Sequence, residues 1–195
     1  MKKELKVLKK KKQIIDALKR GLEKDVYSQG SLEDVAREAG FSKGGLRHYF
    51  PTREELYVSL IEGFFNQIQR DQLGVVQGLD LDKNDRALIT TLFGIEKFLL
   101  DKKTMRILIN IILYSFQDDK IREIVRKFIR NHLNIYAATI QEMKGTDTAK
   151  EEEFQFIGRI TQIIVLFSGI LEFIDPIKVD TPKLIEFILD LYQRD

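Results

Sequence analysis

The stretch of the chain that decides the fold is SLEDVAREAGFSKGGLRHYF, residues 31–50. Ser31 stands three residues before Asp34, which is the spacing of a capping box at the start of a helix. Gly40 is placed to end that helix, because glycine tolerates the left-handed backbone conformation. Ser42 can then cap a second short helix. Two short helices separated by a three-residue turn are typical of a helix-turn-helix, whose second helix lies in the major groove of DNA.

The residue types in and before this stretch separate a small apolar core from an exposed surface. A preceding helix is predicted over residues 10–27, with apolar residues three and four positions apart. The predicted core consists of Ile14, Leu18, Leu32, Val35, Ala36, Phe41, Leu46 and Phe50. The last short helix, which ends near Tyr49, then exposes Lys43, Gly44, Arg47 and His48. The spacing of the helices alone is a weak signal for a helix-turn-helix. The separation of apolar core residues from exposed polar residues strengthens it.

The run from Ser31 to Leu56 resembles the N-terminal DNA-binding domain of TetR-family transcriptional regulators. The features that agree in order and spacing are VAxxAGFS, GxLxxYF and Arg53 three positions after Phe50. The resemblance covers about the first 60 residues. It implies a helical C-terminal domain that binds a ligand and forms a dimer. Two positions depart from the family pattern, since Gly45 stands where Thr is usual and Arg47 where Tyr is usual.

The predicted DNA-binding residues belong to the last short helix, its flanks and the cap of the helix before it. They are Ser31, Ser42, Lys43, Gly44, Gly45, Arg47, His48, Tyr49 and Arg53. Ser31, Lys43, Tyr49 and Arg53 are expected to contact phosphates, which positions a protein without reading sequence. The two glycines would let the backbone approach the groove closely, at a cost of about 1 kcal/mol each relative to Ala in a helix. Arg47 is either a base reader, because its donor fork suits guanine O6 and N7, or another phosphate contact.

The charge distribution points to a polyanionic partner at one end of the chain. The net charge is +2, but residues 1–53 carry 14 Lys and Arg against 7 Asp and Glu. Residues 54–195 carry 18 against 23. Seven lysines fall within the first twelve residues: Lys2, Lys3, Lys6, Lys9, Lys10, Lys11 and Lys12. This cluster is interpreted either as an arm on the DNA backbone or in the minor groove, or as a flexible solvated tail.

The remainder of the chain is predicted to be helical, and the fold class all-α. Helices are expected at 53–77, 84–100, 103–116, 121–143, 148–174 and 181–192. Thr52, Thr148 and Thr181 are the expected N-caps of three of them. No alternating β pattern or internal repeat is found in the sequence. The predicted domains are a DNA-binding domain over 1–51 and an effector-binding and dimerisation domain over 52–195, connected by the helix at 53–77.

The second domain is expected to provide a dimer interface and an effector site. The helices near 151–174 and 182–192 carry apolar residues on more than one face, which favours pairing with a second copy over packing inside the monomer alone. Arg106 and Asn110 interrupt an apolar helix on one face and are predicted to orient a ligand. The full set of predicted effector contacts is Phe93, Arg106, Asn110, Tyr114, Phe128, His132 and Gln162. The alternative is that these polar groups are satisfied within the protein.

The composition argues against catalysis, metal binding and membrane insertion. There are no Cys and 2 His residues, so no metal ligand cluster, cofactor or nucleophile is expected. The basic start is not followed by an apolar run, and no apolar stretch approaches the roughly 18 residues of a membrane span. The expected function is a cytoplasmic, ligand-responsive repressor that binds a pseudo-palindromic operator as a homodimer and is released by a small, mostly apolar effector. The alternatives are an activator of the same fold and a helical ligand-binding protein that does not bind DNA.

Overall fold

The computed structural model describes residues 2–24, 31–145, 150–175 and 179–193, and these residues form helices without any strand. The described helices are α1 Lys2–Lys24, α2 Leu32–Glu38, α3 Lys43–Tyr49, α4 Arg53–Val76, α5 Lys83–Ile95, α6 Lys102–Ser115, α7 Asp119–Lys144, α8 Glu151–Leu171 and α9 Thr181–Gln193. A π-helical turn, Glu96–Leu100, continues directly from α5. The predicted all-α fold class is confirmed.

The chain forms two compact units. The first comprises Met1–Gln67 and Arg106–Ile124, and the second comprises Ile68–Met105 and Val125–Asp195. The first unit therefore includes more of the chain than the domain predicted at 1–51. It gains the start of α4, most of α6 and the start of α7.

The first unit is built on apolar residues of α1, α2 and α3. Ile14 and Leu46 are fully buried, and Val35 is 5% exposed. The helix α1 begins at Lys2 rather than near residue 10, so the lysine cluster is helical and not a flexible tail. Lysine is a good helix former, which makes this extension of the apolar core helix inexpensive. The predicted residues 25–27 of this helix lie outside the described part of the chain.

The second unit contains a local departure from the predicted helix over 84–100. The α-helical pattern stops at Ile95, and the next five residues form the π-helical turn. In this turn Phe98 is fully buried and Leu99 is 2% exposed. A Cβ on Gly169 of α8 would lie only 1.8 Å from the Phe98 carbonyl oxygen. The turn thus packs against α8 so closely that only glycine fits there, a tertiary constraint that helical periodicity does not contain.

The ends of α8 and α9 also differ from prediction. The helix α8 stops at Leu171 and three turn residues follow, whereas the sequence predicts helix to residue 174. Asp180, rather than Thr181, caps α9, because its carboxylate Oδ1 accepts the backbone N–H of Lys183 at 3.2 Å. Aspartate competes well with threonine for this position. The predicted cap Thr148 lies outside the described residues.

Among the described helices, α8 is long and apolar enough to cross a membrane when judged by length and composition alone. Its sequence contains no long uninterrupted apolar run, because Arg159 and Gln162 lie within the helix. The central helix of a soluble domain has the same composition, so this single helix is weak evidence for a membrane protein. Within the second unit α8 buries one face, including Phe154 and Val165.

Candidate nucleic-acid interface

The helix α3 is anchored by one buried face and exposes the other. Leu46 is fully buried and Phe50, which follows the helix, is 2% exposed, so both belong to the core of the first unit. Lys43, Arg47 and His48 are exposed on the remaining surface. This arrangement presents cationic and hydrogen-bonding side chains on a helix narrow enough to enter a major groove.

The caps of α2 and α3 form as the sequence predicts. Ser31 Oγ accepts the Asp34 backbone N–H at 3.2 Å, and the Asp34 carboxylate accepts the Ser31 N–H at 3.3 Å, which completes the capping box. The hydrogen bond from the Ser31 hydroxyl lowers the pKa of Asp34. Gly40 has a φ of 71° in the turn. Ser42 Oγ accepts the Gly45 N–H at 3.1 Å and starts α3. Both serines are exposed, and a phosphate contact by either hydroxyl remains a prediction.

Two of the predicted contacts already interact within the first unit. Lys43 forms an ion pair with Glu33 of α2 while both side chains remain about half exposed. Such an exposed pair is worth only about 0–1 kcal/mol, so a DNA phosphate can replace it. Tyr49 packs edge-on against Phe41, with ring centroids 5.7 Å apart, and is partly exposed. Lys43 and Tyr49 as phosphate contacts remain predictions.

The lysines at the end of the cluster lie against the two ends of α3. Lys10 Nζ lies 5.3 Å from the centroid of the Phe41 ring, and Lys11 Nζ lies 5.2 Å from that of Phe50. Gln13 Nε2 also donates to the Ala39 carbonyl at 2.8 Å, which ties α1 to the end of α2. The sequence contains no signal for these contacts, since 26 or more positions separate the partners. They place two ammonium groups of α1 beside the residues that flank α3.

Arg53 points toward two tyrosine rings rather than into open solvent. Its Nη2 donates to Tyr57 Oη at 3.3 Å, and the guanidinium carbon lies 5.0 Å and 5.6 Å from the ring centroids of Tyr57 and Tyr114. Contacts of this kind favour a desolvated cation. A phosphate contact by Arg53 remains a prediction, and in this conformation part of the guanidinium is engaged by the protein.

A sequence model described as "Bacterial regulatory proteins, tetR family" matches residues 14–60. These residues contain the end of α1, the capped α2, the turn and α3, together with the first part of α4. Residues 14–60 are a helix-turn-helix domain of the tetR family. The resemblance seen in the sequence is confirmed. No sequence among curated proteins matches the chain.

Solved structures share the fold over nearly the whole length of this chain. A putative transcriptional regulator from Saccharomonospora viridis, in complex with choline, has a TM-score of 0.76 at 14% identity, covering 95% of this chain and 96% of that one. A TetR transcription regulator from Haloarcula marismortui has a TM-score of 0.72 at 15% identity, with 95% of both chains covered. The fatty acid degradation regulator FadR from Bacillus halodurans has a TM-score of 0.67 at 18% identity, with 94% of both chains covered. At these identities the likeness concerns the fold.

Three of the predicted effector contacts are occupied within the first unit. Arg106 Nη1 donates to the Glu23 carbonyl at 3.2 Å, and Asn110 Nδ2 donates to the Leu22 carbonyl at 3.3 Å. These carbonyls end α1, where backbone acceptors have no partner inside the helix. Tyr114 packs against Tyr57 with ring centroids 4.7 Å apart. The three side chains thus have structural partners, and ligand contacts by them remain predictions.

The other four lie in the second unit. Phe128 and His132 stack at 5.9 Å between ring centroids, and Phe98 and Tyr136 surround the imidazole. Burial lowers the pKa of His132 to about 4, so the ring is neutral at physiological pH. The Gln162 amide donates to the Ile129 carbonyl at 2.9 Å. These contacts describe a packed interior, which was the alternative interpretation of these polar residues.

Phe93 lines a cleft in the second unit instead. The cleft lies between α5, α7 and the C-terminal turns of α4 and has a volume of about 520 Å³. It also includes Gln69, Gln72, Arg86 and Glu142, which sequence analysis did not identify. No sequence pattern links these residues, because up to 73 positions separate them and each is typical of a solvated helix face.

Proposed function

We propose that this regulator is a repressor that binds a pseudo-palindromic operator as a homodimer and is released by a small, mostly apolar effector. The observation that supports it most directly is α3, whose exposed Lys43, Arg47 and His48 stand beside buried Leu46. A helix anchored in this way can insert into the major groove with its register fixed by the core. We place the protein in the cytoplasm, where an operator is accessible.

Dimerisation is supported by an apolar stripe that the single chain leaves exposed. Phe156, Ile163 and Phe167 of α8 are 65%, 52% and 55% exposed, and spacings of seven and four place them on one face of the helix. Phe187 on α9 is 47% exposed. Contiguous exposed apolar residues mark association surfaces. A two-fold axis through this stripe would present two copies of α3 to two half-sites.

Release by an effector requires that the ligand prefer the state that does not bind DNA. By linkage, the ratio of its affinities for the two states equals the factor by which it weakens operator binding. The cleft beside Phe93 offers room for such a molecule. The choline complex of the Saccharomonospora viridis protein supports a small-molecule ligand in this fold.

Selection of bound duplexes from a random pool, followed by affinity measurements at two salt concentrations, tests the proposal. We expect two half-sites whose centres are one helical turn or a multiple of it apart. Affinity should fall steeply with salt, because phosphate contacts release counterions. Selected sequences without two-fold symmetry would contradict the homodimeric mode of binding.

Two exposed residues of α3 separate base reading from phosphate contact. Arg47→Ala should cost about 1–3 kcal/mol on the preferred base and relax specificity at that position. Lys43→Ala should weaken binding to all sequences alike and reduce the salt slope by about 1. Arg130→Ala, an exposed arginine on α7, loses the same charge and serves as the control. A uniform loss for Arg47→Ala would make Arg47 a phosphate contact.

A further inference from the structure

The cleft of the second unit has an apolar wall. The side chains that form this wall are Leu73, Val76, Ile89, Phe93, Ile135 and Ala138. A volume of about 520 Å³ lies within the range of sites that enclose a drug-sized molecule. The cleft therefore favours a ligand whose surface is mostly apolar.

The charged groups that line the cleft neutralise one another. Arg86 Nε lies 3.4 Å from Glu142 Oε2, and the two side chains are 44% and 51% exposed. Arg86 Nη2 also contacts the Leu81 carbonyl at 3.5 Å. A carboxylate approaching Arg86 would meet the charge of Glu142, and an ammonium approaching Glu142 would meet that of Arg86. Each ion would gain little net attraction from this half-exposed pair, so the partial loss of its hydration is not compensated.

Neutral polar groups in the same cleft remain available to a ligand. Gln69 and Gln72 are partly buried, and among the described residues neither side chain has a hydrogen-bond partner. Thr139, which also lines the cleft, donates its hydroxyl to the Ile135 carbonyl at 2.9 Å, so its oxygen can still accept a hydrogen bond. These groups match uncharged donors and acceptors such as hydroxyl, amide, ester or ketone.

We propose that this cleft binds an uncharged, mostly apolar small molecule with neutral hydrogen-bonding groups, and that the Arg86–Glu142 pair excludes charged analogues. Binding in the cleft does not depend on the proposed function, but the identification of this molecule as the effector rests on it. The ion pair acts as a selectivity element, because each member repels the ions that the other attracts.

Three naphthalene probes of matched size test the charge selectivity on the full chain. They are 2-naphthylmethanol, which is neutral, 2-naphthoate, which is an anion, and 2-naphthylmethylammonium, which is a cation. Binding is measured by displacement of Nile red and by calorimetry. We expect both ions to bind about fivefold more weakly than the alcohol, since a half-exposed ion pair is worth at most about 1 kcal/mol. Equal binding of all three probes would overturn the proposal.

Two substitutions are expected to change the selectivity in opposite directions. Glu142→Gln leaves Arg86 unopposed and should strengthen 2-naphthoate binding by up to about fivefold, the upper end of the range for a half-exposed ion pair. Arg86→Gln should strengthen binding of the ammonium probe by a similar factor. The affinity for the alcohol should stay the same in both variants. Unchanged selectivity in both variants would show that the pair does not select, and would refute this part of the proposal.

A pair of variants on α7 locates the probe and separates this inference from the proposed function. Ala138→Phe fills the cleft and should abolish binding of 2-naphthylmethanol, whereas Asn134→Phe, exposed one turn earlier and outside the lining, should not. Retained binding in Ala138→Phe would overturn the assigned site. If the affinity for 2-naphthylmethanol falls as the protein concentration rises, a second copy of the chain competes with the probe for the cleft. This result would also overturn the assigned site. If the probe binds as expected but operator affinity never changes, the site stands and effector release fails.

Discussion

Gly44 and Gly45 are neighbours in α3 that differ in what an added methyl group would contact. An ideal Cβ at Gly44 meets no atom within 4 Å, whereas at Gly45 it lies 3.2 Å from Ser42 Oγ and 3.6 Å from Phe41 Cδ1. Replacing a helical glycine by alanine stabilises a protein by about 0.4–1 kcal/mol when the site is free of strain. We therefore expect Gly44→Ala to stabilise α3 by this amount.

Gly45→Ala should give no such gain. The atom that its new methyl would press against, Ser42 Oγ, is the acceptor that caps α3 at 3.1 Å from the Gly45 nitrogen. If the serine side chain rotates to make room, the cap is lost at a cost of about 1 kcal/mol. Alanine also lowers the backbone entropy of the unfolded chain, and this stabilises the variant by about the same amount as the lost cap destabilises it. The expected net change is about zero.

Native-state hydrogen exchange at the end of α3 measures the difference directly. The Phe50 amide donates to the Leu46 carbonyl at 2.9 Å, and it exchanges when α3 opens. A stabilisation of about 0.4–1 kcal/mol slows this exchange about twofold to fivefold in Gly44→Ala. The Gly45→Ala protein should exchange at the wild-type rate. The steric reasoning would be refuted if the Phe50 amide exchanged at the same rate in the two variants, or if Gly44→Ala did not slow this exchange relative to wild type.

Operator affinity of the same two proteins tests the predicted close approach of α3 to DNA. Gly44 is exposed beside Lys43, so its added methyl would face the groove. We expect Gly44→Ala to be the more stable protein and yet the weaker DNA binder. Undiminished operator affinity in a correctly folded Gly44→Ala protein would show that the backbone does not approach DNA closely at this residue.

Three further predictions concern the second unit. His132 has a pKa of about 4 in the folded protein, against an ordinary value of 6.5. As the pH falls, the imidazole of the unfolded chain therefore binds a proton before that of the folded chain. The free energy of unfolding decreases as the pH drops from 6.5 toward 4. Urea unfolding should show a loss of about 2 kcal/mol between pH 7 and pH 5, and His132→Leu should remove it; an equal loss in the variant would contradict this. Gly169→Ala should cost about 3 kcal/mol or more in thermal unfolding, because its Cβ would overlap the Phe98 carbonyl, whereas Gly74→Ala, with nothing within 4 Å, should not destabilise. Phe167→Glu should convert a dimer into a monomer in sedimentation, while the control Phe116→Glu, 70% exposed in the first unit, should not; a dimeric Phe167→Glu protein would exclude the α8 stripe as the interface.

The structure of α2, the turn and α3 could be predicted because it depends on local signals. The capping box of Ser31 and Asp34 depends on two residues three positions apart, and the φ of 71° at Gly40 depends on one. The buried position of Leu46 follows from its spacing within a single short helix. Each of these features is decided by atoms within one turn of the chain, so the sequence contains the whole interaction.

Tertiary contacts decide the features that the sequence did not reveal. The π-helical turn that begins at Glu96 exists beside Gly169, 73 residues later in the chain. The start of α1 at Lys2 does not follow from a buried apolar stripe, since Leu5 and Leu8 are 56% and 62% exposed, but lysine forms helix readily. The contacts of Lys10 and Lys11 with phenylalanine rings likewise join residues that only the fold brings together.

The pattern of Arg106 and Asn110 correctly predicts that both side chains have hydrogen-bond partners, but it does not identify those partners. Their spacing of four places both on one face of an apolar helix, and both side chains, which are partly buried, find hydrogen-bond acceptors. The acceptors are the last carbonyls of α1, which lack partners within their own helix. A ligand carbonyl and a helix end present the same chemistry to a guanidinium or an amide, so the sequence of the donor helix alone cannot distinguish them. The cleft beside Phe93 is the reverse case, because Arg86 and Glu142 pair across two helices and the neutral amides of Gln69 and Gln72 are the ligand contacts that we propose.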